Sequence, residues 1–222
     1  MLNQAEPIIQ AFRANIPADF IPDVFSTIFE QYEAAYDTCD SIMDATERHD
    51  VLATMRRGMI ETAVRNVARR YPTAEVLALM NQRRTSHFSL IKFGPVDLTF
   101  SKSGSPKLLP RPAMHRTNLF EHAQASLFDN ERAKPGDRLY GILIHGPARR
   151  KKRDQEDAPL ANPKFPSFAR IVFPDQEGKI LASIDLFRDY RLVVHKYIPP
   201  VEPVEIAKPK PLRIKKKKED EE

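Results

Sequence analysis

Apolar residues recur at helical spacing through the first 80 or so positions and at strand spacing through much of the rest. Ile8, Ile9, Phe12 and Ile16 fit one short helix, with Pro7 in its first turn and Pro17 as its stop. Pro22 suits the first position of a second helix, in which Phe25, Ile28, Phe29, Tyr32 and Tyr36 keep an i, i+3, i+4, i+7 stripe. Asp50 is the expected cap of a third, whose buried stripe runs through Leu52, Met55, Met59, Ile60, Ala63, Val64 and Val67 until Pro72 ends it. Thr73 is then expected to cap a further short helix reaching Met80.

From His87 the period changes. Phe88, Leu90, Ile91 and Phe93 precede Gly94-Pro95, and Val96, Leu98 and Phe100 alternate with Asp97 and Thr99 after it, which predicts a hairpin. Serine, glycine and prolines at 106, 110 and 112 make 101–113 loop-like. Asn118 with Glu121 three residues on reads as a capping box opening a helix over 119–128, with Leu119, Phe120, Ala123 and Leu127 on the face that crosses the sheet. Three further strand-like runs follow at 139–145, 168–173 and 179–187. The first is apolar on both faces, as an inner strand covered on each side must be, and the last two read as a hairpin. Leu192, Val193 and Val194 suggest one strand more.

This pattern predicts an α+β protein: a helical region over 1–82, a mainly antiparallel β-rich domain over 83–198 carrying one crossing helix and a basic insertion at 147–166, and a disordered charged tail over 199–222. Prolines at 199, 200, 203, 209 and 211 without apolar periodicity account for the tail. Its four lysines at 215–218 are matched by the four acids at 219–222, so a solubilising role is expected of it rather than an address signal.

Composition narrows the classes. At 222 residues and 41% hydrophobic, the chain can bury a core without covalent staples. Cys39 is the sole cysteine, which excludes an internal disulfide and a multi-cysteine zinc site and fits a reducing compartment. The first residues lack the basic and apolar regions of a signal peptide, and no apolar run approaches the roughly 20 residues that span a bilayer, so a cytoplasmic protein off the membrane is expected. Charge is unevenly spread. Residues 1–47 hold Arg13 against nine carboxylates, a net of −8, so the remainder carries +13 of a total of +5. Such an asymmetry bears on partners, because fixed charge acts over about one Debye length, roughly 8 Å at physiological salt.

Candidate chemistry follows from that distribution. Arg149-Arg150-Lys151-Lys152-Arg153 lies in a segment too long and polar for a simple turn between core strands, and such loops carry function or are disordered. These five, with Arg57, Arg65 and Arg69, which together with Glu61 stand at successive i+4 steps on the third helix, are the residues expected to track the phosphate backbone of RNA or DNA without reading bases. The competing account is a solvated face, since Asp154, Glu156 and Asp157 follow the basic run and Glu61 interrupts the arginine row.

A second reading is a metal-independent, toxin-like ribonuclease. His145, at the end of an apolar strand before a Gly-Pro turn, would act with His115 and His122 in proton transfer, and Arg116 or Arg170 would steady the charged phosphorane. That arrangement is an analogy with the sparse sites of toxins in toxin–antitoxin pairs, because no HExxH, GxSxG, Walker A or GxGxxG motif occurs. The third reading makes Glu30, Glu33 and Asp37 a docking face for a protein partner. No metal and no cofactor is expected under any of the three.

Overall fold

The computed structural model describes residues 5–81, 85, 87–111, 113–121, 138–147, 162–175 and 177–198. Three helices come first, α1 (Ala5–Asn15), α2 (Phe20–Ile42) and α3 (Ala45–Ala68). The strands β1 (Ala74–Met80), β2 (His87–Phe93) and β3 (Val96–Lys102) lead to helix α4 (Met114–Glu121). Then come β4 (Leu139–Gly146), β5 (Phe168–Pro174) and β6 (Ile180–Asp185), closed by the short helices α5 (Leu186–Asp189) and α6 (Arg191–Tyr197). The architecture is α+β, as the periodicity predicts.

The six strands lie side by side in chain order. Four of their five pairings are antiparallel, and β3 runs parallel to β4. A parallel pair needs a crossover, and residues 103–138, with α4 among them, supply it. The β2–β3 hairpin closes at Gly94, whose φ of +53° favours glycine, and Phe93 pairs directly with Val96 across it.

One face of the sheet carries the helices. Leu98, Phe100, Leu143, Ile171, Phe173 and Ile184 point toward Phe12, Phe20, Phe25, Phe29 and Val64, so the helical half and the sheet share one core. Edge-to-face rings hold the seam, Phe12 to Phe173 at 5.2 Å and Phe20 to Phe93 at 4.7 Å. The other face buries Tyr140, Ile142, Ile144, Phe168 and Val172 beneath Leu109 and Leu119, which puts α4 across the sheet from the helical layer. Every residue of β4 is buried, the inner position its unbroken apolar run implies.

Several elements differ from the sequence reading. Residues 74–80 form a strand instead of a helix, because seven consecutive pairings with β2 satisfy the backbone and override side chains that favour a helix by propensity. Helix α3 begins at Ala45 after Asp44, and Asp50 lies inside it. Likewise α4 begins at Met114, so Asn118 is an internal residue and not a cap; 122–128 lie outside the described residues. The 179–187 run divides where Asp185 accepts from the backbone N–H groups of Phe187 and Arg188 at 3.1 and 3.3 Å, ending β6 and capping α5. Leu192, Val193 and Val194 belong to α6, which docks on α2 through Tyr197, stacked 5.0 Å from Phe29, and leaves Leu192 87% exposed. The tail at 199–222 lies outside the described residues. No described helix is long and apolar enough to cross a membrane.

Candidate functional site

The C-terminal ends of β3 and β4 reach the same end of the sheet, and a chain of polar side chains gathers behind them. His145 shares the face of Leu143 and is 4% exposed. Its Nδ1 and the Tyr32 hydroxyl are 3.0 Å apart in a hydrogen bond. Tyr32 reaches it from the apolar stripe of α2, and the Arg56 guanidinium lies 4.7 Å over the Tyr32 ring. Arg56 stands in line with Leu52, Ile60 and Val64 at i±4 steps, so α3 turns this cation toward the core, where it is 6% exposed. One of its terminal nitrogens donates to the Pro163 carbonyl. Its Nε is buried with no acceptor among the described residues.

Lys102 joins the group through the sheet. As the last residue of β3 it pairs in register with His145, and parallel partners present their side chains on one face.

Electrostatics reflect this crowding of positive charge. Burial pushes His145 down to about 3, and the charges of Lys102 and Arg56 add to the effect, so the imidazole is neutral. Lys102 reaches solvent, yet partial burial and then the Arg56 charge lower its proton affinity. For Arg56 burial is again the leading cause of a downward shift, countered by Tyr32, Cys39 and Tyr36. Burial raises the Tyr32 phenol, which Arg56 partly offsets, so the hydroxyl keeps its proton.

The basic insertion is anchored at this same end. Its entry strand finishes at Gly146, whose carbonyl accepts from the backbone N–H and the hydroxyl of Ser167, both at 3.0 Å. On the exit side Pro163 accepts from Arg56, Lys164 pairs with Asp37 at 2.7 Å, and Phe165 lies against Phe29. The Tyr36 ring sits near two cations, Arg48 at 5.1 Å and Lys164 at 5.6 Å. Arg149, Arg150, Lys151, Lys152 and Arg153 themselves lie outside the described residues.

The arginines expected on the outer face of α3 divide. Arg57 is exposed and donates to the His87 carbonyl at 3.1 Å, on the strand end nearest Lys102. Arg65 turns inward: its side chain is 16% exposed, it donates to the Ser89 hydroxyl at 2.9 Å, and Glu61 lies 4.0 Å away. Glu61 is itself buried and accepts from the Ser89 backbone N–H at 2.8 Å, so the expected outward row packs in part against β2. Arg69 is exposed at the far end of α3 and donates to Asn66. From α4, half-buried Arg116 stands near enough to Arg57 for that charge to depress it, after burial and against the influence of Tyr140.

Among the acids expected to dock a partner, two have internal partners. Glu30 accepts from the Tyr197 hydroxyl at 2.7 Å, Asp37 holds Lys164, and Glu33 is half-buried beside them.

The histidines are not seen to converge. His145 does not project from the sheet as its place before Gly-Pro suggests, because α2 closes over it. His115 contributes backbone to the first turn of α4, its side chain outside what is described, and His122 lies outside the described residues. Arg170 faces away from His145, near Asp185 at 3.6 Å. Among the described residues no three His, Cys, Asp or Glu side chains gather in metal-binding range.

Sequence reasoning missed Tyr32, Arg56 and Lys102 as one cluster. A signal was present in Arg56, an arginine on an otherwise apolar stripe. Comparison with protein-family models, curated proteins and solved structures finds no match for this chain.

Proposed function

We propose that this chain is a cytoplasmic nucleic-acid-associated protein that holds a phosphate backbone at the end of the sheet formed by Lys102 and His145. The observation that carries this reading is the gathering of cations there: Lys102 pairs in register with His145, whose ring is bonded to Tyr32, and Arg56 lies over the Tyr32 ring; beyond the effect of burial, both charges lower the proton affinity of His145. The segment bearing Arg149, Arg150, Lys151, Lys152 and Arg153 leaves the sheet at this point, between Pro147 and Asn162. Three acids of α2 and α3 are engaged elsewhere, Asp37 with Lys164, Asp40 with Arg48 and Glu61 with Ser89. A polyanion relieves such repulsion and releases counterions as it binds. Phosphate contacts of this kind carry little sequence information, so the expected ligand class is broad, RNA or DNA.

Filter binding of a short single-stranded RNA over a salt series tests it. For the parent, log K falls linearly with log salt. With Arg149, Arg150, Lys151, Lys152 and Arg153 all changed to Ala, the slope is expected to become shallower by about 0.7 for each phosphate contact removed. An unchanged slope removes the insertion from the interface. The ribonuclease reading has no observation in its favour, since the His145 ring is enclosed, neutral and bonded to Tyr32. The acids of the docking reading serve, in part, to hold α6 and residue 164.

A further inference from the structure

We propose that Arg56 and Lys102, backed by Tyr32 and His145, form a discrete seat for one phosphate group. This inference rests on the polyanion reading and deepens it, from diffuse attraction to a single locus. Three observations support it. First, the Arg56 Nε is buried with no acceptor among the described residues, while one terminal nitrogen donates to the Pro163 carbonyl and the guanidinium lies over the Tyr32 ring. A buried donor left alone forfeits its hydration without compensation, so it calls for a partner. Second, the strand register sets Lys102 beside His145, and the His145–Tyr32 hydrogen bond and the Tyr32–Arg56 stack complete the path between the two cations. Third, three carboxylates of α2 and α3, Asp37, Asp40 and Glu61, are committed to other partners. Water would satisfy the Nε but leave the charges facing each other. An oxyanion does both, and a phosphate has enough oxygens to accept from Arg56 and Lys102 together.

His145 does not touch the anion in this scheme. Its neutral ring holds the Tyr32 hydroxyl, and Tyr32 in turn fixes the plane of Arg56. The phosphate belongs either to a nucleic-acid backbone or to the free ion, and the chemistry of the seat is the same for both.

The test uses the full chain. Thermal unfolding is followed in sodium phosphate and in sodium chloride at matched ionic strength, and RNA binding is measured alongside. The parent is expected to gain roughly 5 °C in Tm when phosphate reaches 100 times its Kd. Lys102→Met, at a side chain that reaches solvent, should keep the parent's Tm in chloride, lose the phosphate gain and bind RNA about tenfold more weakly. Lys102→Arg, which keeps the charge, should retain the gain. In the parent, phosphate should also displace the His145 imidazole resonances.

No gain over chloride, or a gain undiminished in Lys102→Met, overturns the seat. If the parent shows no phosphate gain yet binds RNA with a steep salt slope, the seat fails and the polyanion reading stands. If phosphate binds and RNA does not, the seat stands and nucleic acid is removed as the source of the group.

Discussion

At Gly146 there is no room for a side chain. A Cβ there would lie 2.1 Å from the Ser103 carbonyl oxygen, which is backbone, in a residue whose own N–H donates to the His145 carbonyl. Gly146→Ala is therefore expected to destabilise the fold by about 3 kcal/mol, read as a lower urea midpoint, since the ladder must part to admit the methyl group. The residue before it makes stability depend on pH. His145 binds its proton only near pH 3 when folded, against about 6.5 in an unfolded chain, so between these values the unfolded state takes up a proton that the folded state refuses. Stability from this group is thus intact above about pH 6.5 and lost as pH falls through the window below it, by up to about 1.4 kcal/mol per unit. In His145→Gln, which cannot titrate, the loss between pH 7 and pH 5 should be smaller by about 2 kcal/mol in urea unfolding at the two pH values. An equal loss in both proteins would assign the acid sensitivity to other groups.

Among the elements, β3 and β4 are joined by a clamp as well as a ladder. Asp97, buried on the face away from the helices, receives two hydrogen bonds from Arg138 at 2.5 and 2.6 Å, one residue before β4 begins. Arg138→Met strands that carboxylate and should cost about 2 kcal/mol. Adding Asp97→Asn should recover part of the loss, which a double-mutant cycle in urea would reveal.

The elements also show what a sequence discloses. Helices α1 to α3, the β2–β3 and β5–β6 hairpins and the inner place of β4 were legible, because burial on one or both faces stamps a period on the side chains. Residues 74–80 and 191–197 were not. Ala74, Glu75, Leu77 and Met80 suit a helix by propensity, and Val193 and Val194 suit a strand. In each case a neighbour decided the outcome, β2 for the first and α2 for the second. The parallel pairing of β3 with β4 was illegible for a related reason: an apolar run has no direction.

For the molecule as a whole, charge sorting matters more than net charge. The acids of the N-terminal part do not form a separate negative surface throughout, because Asp23 binds Arg70 and Tyr71, Asp37 binds Lys164 and Asp40 binds Arg48. Several of these pairs are exposed, so each contributes little and fades with salt. The sequence could announce the basic run at 149–153 but not the cluster behind it. Tyr32, Arg56, Lys102 and His145 come from four separate elements, and only the packing of α2 and α3 on the sheet unites them.

Two adjacent strands running the same way have a lasting effect on design. The loops that follow them, after Lys102 and after Gly146, emerge as neighbours at one pole, while the residues that fix the sheet lie behind. Foreign sequence grafted into either loop would meet the other without passing through the interior. The pole is therefore a place on this scaffold where two inserted segments would start side by side.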